Sequence, residues 1–354
     1  MESLDTHAPG VFYGPSFLLS RCVVLLSLTL SLWAEPAAAA GFQIKTMRAP
    51  LSAVEVERPL VIGRGWLEFG LGVDYKLGTG EWTDDGLMDP FDGARWTYTT
   101  ERMDIRYGIS RRGELYWSLP FHYVSLDNDL LGTHTSDFGL GDPRFGWRLE
   151  WLRAAAPTRS VITELDFKLP AGPESPGSYI GGPNTVSAFV LSTGTINVGL
   201  SVRGKQQVGP FAVTAGIGYV YRASGLTQYC VETDQQQFLC RFKPGDEIRG
   251  SVEPMLQIGP MALSGEAIWK MRQVAKIGTT SPGFFPDAHL CGIEGSDGVS
   301  LDLAPALTLN ATRGIDVRAS VNFPMLGEDL MFFPLEDVNP TYGITYSGSV
   351  EIRY

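Results

Sequence analysis

The stretch TYGITYSGSVEIRY, residues 341–354, alternates two kinds of side chain almost without a break. Tyr342, Ile344, Tyr346, Val350, Ile352 and Tyr354 fall on one side, and Thr345, Ser347, Ser349, Glu351 and Arg353 fall on the other. A period of two is the signature of a strand whose faces meet different surroundings.

The same grammar governs the chain from Arg64 onward. In GWLEFGLGVDYKL, residues 65–77, Leu67, Phe69, Leu71, Val73, Tyr75 and Leu77 alternate with Glu68, Gly70, Gly72, Asp74 and Lys76. The alternation recurs near 97–109, 114–124, 144–152, 160–169, 195–205, 211–222, 247–258, 261–272, 299–310, 315–325 and 342–354, which predicts about twelve strands. The links between them alternate in length. Short ones fall at 109–113, 153–159, 208–210, 259–260 and 312–314; long ones at 78–96, 125–142, 170–194, 223–246, 273–298 and 326–341. The long links are acidic, with Asp84, Asp85, Asp89, Asp92, Glu328, Asp329, Glu336 and Asp337. Several short ones carry arginine: Arg111, Arg112, Arg153, Arg159 and Arg313.

A soluble sandwich gives no reason for that regularity. A transmembrane antiparallel β-barrel does, with short periplasmic turns, long extracellular loops and an even strand count. The expected fold is therefore all-β. Strands of about ten residues, tilted near 45°, cross an apolar band of about 25 Å. Twelve of them make a backbone cylinder roughly 24 Å across, wide enough for small solutes only. Aromatic residues are expected at both water interfaces: Tyr75, Tyr123, Tyr221, Trp269 and Tyr342 at the outer ends, Tyr107, Trp151 and Tyr354 at the periplasmic ends.

The N-terminus supports export. Arg21 precedes the apolar run Cys22 to Trp33, and the small-residue tract AEPAAAA follows. These are the parts of a secretory signal, so residues 1–40 are expected to be removed after Ala40. Residues 41–63 lack a period and are interrupted by Pro50 and Pro59, which predicts a periplasmic lead-in before a barrel over 64–354. The net charge of −11 argues against a nucleic-acid partner. Three cysteines then remain: Cys230, Cys240 and Cys291. In an oxidising compartment Cys230 and Cys240, within one long link, are expected to form a disulfide.

Several segments resemble a family of outer-membrane channels associated with meta-pathway phenol degradation. They are ELYWSLPFHYVS (114–125), FGLGDPRFGWRLEW (138–151), DFKLPAG (166–172), STGTINVGLSVRGKQQVGPFAVTAGIGYVYR (192–222) and the C-terminal strand. The long links at 226–245 and 278–297 depart from it. The resemblance implies passage of small, often aromatic or apolar compounds. The final strand, ending on Tyr354, resembles the signal by which outer-membrane barrels are recognised by their assembly machinery. The partners expected are thus that machinery, outer-membrane lipid and a small solute.

Strand parity selects the residues facing the lumen. The candidates are Arg102, Asp104, Arg106, Glu114, His122, Arg144, Arg148, Glu150, Glu164, Asp166 and Lys168. As a pore lining they would set selectivity, with Arg102, Arg106, Arg144 and Arg148 forming a basic stripe. As a cross-strand ion-pair network they would rigidify or plug the barrel. The first reading is a passive channel, the second a closed structural or binding barrel. An esterase needs serine and histidine in reach, and no serine motif accompanies His122, so no catalytic site is expected. The carboxylates at 84–92 and 127–129 match no calcium-loop spacing, and nothing suggests zinc, so no metal or cofactor is expected.

Overall fold

The computed structural model describes residues 60–82, 88–90, 94–128, 133–155, 158–171, 195–231, 237–279, 291–292, 297–312, 314–327 and 341–354. The expected signal peptide and residues 41–59 of the lead-in lie outside them.

Twelve antiparallel strands close into a ring. They are β1 (Leu67–Trp82), β3 (Ala94–Gly108), β4 (Gly113–Asn128), β6 (Arg144–Ala155), β7 (Thr158–Lys168), β8 (Asn197–Val208), β9 (Phe211–Arg222), β12 (Glu247–Ile258), β13 (Met261–Arg272), β16 (Gly298–Thr312), β17 (Ile315–Gly327) and β18 (Thr341–Arg353). Each pairs with the next, and β18 returns to β1. The closing seam runs in register from Glu68↔Arg353 to Asp74↔Ser347 and beyond. It continues past the strand, with the Tyr354 N–H donating to the Leu67 carbonyl at 2.8 Å and Leu67 returning the bond at 3.1 Å. Closure leaves no edge in the ring, the condition for placing a sheet in hydrocarbon.

The ring is inverted relative to a soluble barrel. Leu71, Val73, Trp117, Leu200, Ile217 and Leu263 are exposed on the outside. Glu68, Glu114, Lys168, Arg222, Glu247 and Arg353 are buried inside. Only hydrocarbon makes that arrangement stable, because exposed apolar area would otherwise face water. Tyr75, Tyr123, Tyr221 and Trp269 lie exposed near the long-loop end, and Trp151 and Tyr354 near the short-turn end, as expected for interface girdles. The short turns are tight for a definite reason. Gly209 and Gly259 each precede a proline and adopt φ of 59° and 60°. Glycine at the first central position, followed by a residue locked near −65°, is the φ pattern of a type II′ hairpin turn.

Six further strands were not expected. β2 (Met88–Pro90) pairs with the end of β1. β5 (Thr133–Leu140) pairs with the upper half of β4, while β6 takes the lower half. Gly141, Asp142 and Pro143 interrupt what is otherwise one crossing, and the Gly141 N–H donates to the Pro120 carbonyl at 2.9 Å. β10 (Gly225–Val231), β11 (Gln237–Lys243), β14 (Lys276–Thr279) and β15 (Cys291–Gly292) form a separate four-stranded sheet in the chain between ring strands at the long-loop end. Cys230 and Cys240 sit on the adjacent strands β10 and β11, opposite Phe238 and Thr227 respectively. The structure describes only the backbone at these two positions, so their expected disulfide lies outside what it describes; Cys291 is exposed with a free thiol.

Candidate functional site

The ring encloses a cavity of about 1070 Å³. Of the eleven lumen candidates, Arg102, Asp104, Arg106, Arg144, Arg148, Glu164 and Asp166 line it. Glu114, His122, Glu150 and Lys168 point inward as parity demands, but they are buried beneath other side chains and do not border the open space. Parity tells which side of the wall a residue occupies; it does not tell how far neighbouring side chains cover it.

At the short-turn end, alternating charges link six consecutive strands. Arg353 of β18 holds Glu68 of β1 at 2.7 Å. Glu68 meets Arg106 of β3 at 2.6 Å. Arg106 forks onto Glu114 of β4, with Nε to Oε1 at 3.0 Å and Nη2 to Oε2 at 2.9 Å. Arg148 of β6 donates to the same Glu114 at 2.9 Å and pairs with Glu164 of β7. The Tyr116 hydroxyl closes the series, donating to Asp166 at 2.6 Å, while the Arg148 guanidinium lies 4.4 Å over its ring. Gly146 makes room for that ring, since a Cβ there would sit 2.4 Å from the Tyr116 hydroxyl.

The chain before β1 joins this web. Val61 and Ile62 are buried, the Ile62 N–H donates to Glu114 at 2.6 Å, and Arg106 reaches the Leu60 carbonyl at 3.2 Å. Glu114 thus accepts from two guanidiniums and a backbone amide while 0% exposed. No pattern in residues 41–63 announced this role. The expected basic stripe is also revised, because Arg106 and Arg148 each hold two carboxylates and Arg102 lies 3.2 Å from Asp74. Beside the web, Glu150 pairs with Arg153 at 2.6 Å and accepts from Ser160 at 2.5 Å.

The long-loop end is organised differently. Glu247, also 0% exposed, meets Arg222 at 2.8 Å, Arg272 at 3.3 Å, and Arg249. Asp246, in the bend between β11 and β12, accepts from the Arg222 N–H at 3.0 Å, Tyr219 at 2.7 Å and Lys243 at 3.0 Å. Burial works against its ionisation, but these three donors outweigh burial and hold the carboxyl below the usual carboxylate range. Lys168 and Asp142 form a buried pair at 3.4 Å beside the interruption of the fourth crossing. His122 is buried there too, its Nδ1 3.1 Å from the Tyr98 hydroxyl and 3.0 Å from Thr100 Oγ1, a position shielded from any solute. Among the described residues no group of three His, Cys, Asp or Glu could hold a metal ion.

The closed ring, apolar girdle and charged lumen define the class: an outer-membrane-type β-barrel. No family model matches the chain, and no curated protein is similar to it. Among solved structures it is similar to the COG4313 outer membrane channel from Pseudomonas putida F1, with a TM-score of 0.62 and 10% identity over 83% of this chain and 97% of that one. Weaker likenesses extend to the translocator domain of the autotransporter NalP from Neisseria meningitidis (TM-score 0.43, 9% identity, 81% and 88% covered). The toluene transporter TodX of P. putida is more distant still (TM-score 0.37, 9% identity, 81% and 89% covered).

Proposed function

We propose that this protein is an outer-membrane channel for passive passage of small organic solutes, aromatic or apolar in character. The observation that carries the reading is the lumen itself. A cavity of about 1070 Å³ runs inside a closed ring and offers both charged groups and the apolar surfaces of Tyr98, Met255 and Ile268. That is the scale and mixture of a small-molecule site. Likeness in fold to the COG4313 outer membrane channel is in keeping with it. Export through cleavage of residues 1–40, residence in the outer membrane, insertion by the barrel assembly machinery, and kinship with the phenol-degradation channels belong to the same proposal.

The web at the short-turn end favours a second reading, in which the barrel is closed there and its external loops serve a partner. Single-channel recording of the purified, folded protein separates the two. Steady current in the native protein supports the channel. A silent native protein, with current appearing only in Arg106→Ser/Arg148→Ser, supports the closed barrel. Silence from both overturns the channel.

A further inference from the structure

The charges inside the lumen at the short-turn end are matched; those on the rim outside it are not. Arg64, Arg111, Arg112, Arg153 and Arg159 are all exposed there. Arg153 pairs with Glu150 at 2.6 Å. The other four guanidiniums make no ion pair or hydrogen bond among the described residues. The carboxylates of this sector, Glu68, Glu114 and Glu150, are buried. No exposed carboxylate lies among the described residues of 60–68, 106–116 and 148–163. In a chain of net charge −11, this sector is therefore strongly positive at its surface.

Backbone hydrogen bonds gather the arginines. The Gly65 N–H donates to the Gly108 carbonyl at 2.8 Å, which sets Arg64 beside the turn between β3 and β4. The Glu150 N–H donates to the Arg112 carbonyl at 2.7 Å, which sets that turn against β6. Arg159 of β7 lies opposite Ala154 of β6 and Gln206 of β8. Apolar surface adjoins them: Trp151 and Leu152 on β6, and Val208 and Phe211 where β8 turns into β9, are exposed. The Trp151 indole N–H donates to Thr163 Oγ1 at 2.8 Å, which holds the ring against β7.

A soluble acidic partner would answer the guanidiniums but leave the apolar wall in water. A phospholipid answers both, since its phosphate takes forked hydrogen bonds from arginine and its acyl chains cover the wall. A zwitterionic head brings an ammonium into the same positive sector, so a head of net negative charge fits better. We propose that the rim from β3 to β8 is a binding surface for anionic phospholipid, with Arg111, Arg112 and Arg159 on the headgroups and Trp151 and Leu152 along the acyl chains. The proposal rests on the short-turn end meeting the periplasmic leaflet, and not on the lumen conducting.

Native mass spectrometry of the folded, detergent-solubilised full chain tests it, with dioleoylphosphatidylglycerol and dioleoylphosphatidylethanolamine as paired probes. The glycerol lipid is expected to bind roughly tenfold more tightly. Arg111→Ser/Arg112→Ser/Arg159→Ser is expected to remove that preference while leaving the ethanolamine lipid bound as before. The same three positions changed to lysine should keep part of it, which a merely damaged barrel would not do. Equal binding of the two lipids by the native protein overturns the site, as does a preference that survives the serine variant. Retention of soluble polyglutamate without any lipid preference would assign the rim to an acidic protein and overturn it too. Current recorded on the same preparation keeps this apart from the channel reading. A silent barrel with the lipid preference loses the channel and keeps the surface; a conducting barrel without it does the reverse.

Discussion

The two ends of the lumen use the same side chains to different effect. At the short-turn end, Arg353, Arg106 and Arg148 interleave with Glu68, Glu114 and Glu164, and every contact crosses from one strand to its neighbour. Charge is matched locally, and the chain at Leu60–Ile62 is drawn into the match. At the long-loop end, one carboxylate serves Arg222, Arg249 and Arg272. Balanced charge acts as a fastener, because removing either partner strands the other. Unbalanced charge attracts a counterion from outside. The short-turn end is thus matched strand by strand, while the long-loop end gathers three guanidiniums on Glu247.

That contrast can be broken first at its most buried point. Glu114→Ala strands two guanidiniums and an amide, and is expected to cost about 3–5 kcal/mol. A lowered urea midpoint of the folded barrel would show it; an unchanged midpoint would mean that the web is ornamental. Gly146→Val is a gentler attack on the same end, forcing Tyr116 out from under Arg148. Overpacking of that kind costs about 1–3 kcal/mol, and adding Tyr116→Ala should restore part of the loss in a double-mutant cycle. Deleting Tyr354 removes two backbone hydrogen bonds from the seam. It is expected to reduce the yield of inserted, heat-modifiable barrel severalfold while moving the urea midpoint by only about 1–2 kcal/mol.

The smallest effect should come from the other end. The Asp246 carboxyl titrates below its ordinary range when folded, so its contribution is present above the unfolded value and fades as pH falls through the folded one. Asp246→Asn should therefore narrow its gap from the native protein as pH is lowered from neutrality to about 3. A gap that widens on acidification would reverse the assignment.

The ring was legible because each strand separates two solvents. Hydrocarbon outside and water inside impose a period of two on segments such as 65–77 and 342–354, and the Gly-Pro pairs at 209–210 and 259–260 mark the turns. The sheet of β10, β11, β14 and β15 was not legible, since no hydrocarbon face selects its pattern. β5 escaped for a related reason: THTSDFGL alternates weakly, and Gly141–Pro143 separates it from the strand it continues. Within the lumen, Glu114 and Glu164 have the same parity and charge, yet one is sealed and the other borders the cavity. That difference depends on Leu60–Ile62 folding over Glu114, a long-range event without local trace.

The seam between β1 and β18 joins Glu68 to Arg353 across 285 positions. A ring fastened in this way has no stable fraction. Until the final residues exist, the first strand has only one neighbour, and every intermediate carries two raw edges. Long-range closure of this sort is slow and leaves the unfinished chain prone to pairing with the wrong partner. β18 must therefore be present before β1 gains its second neighbour and the ring can close.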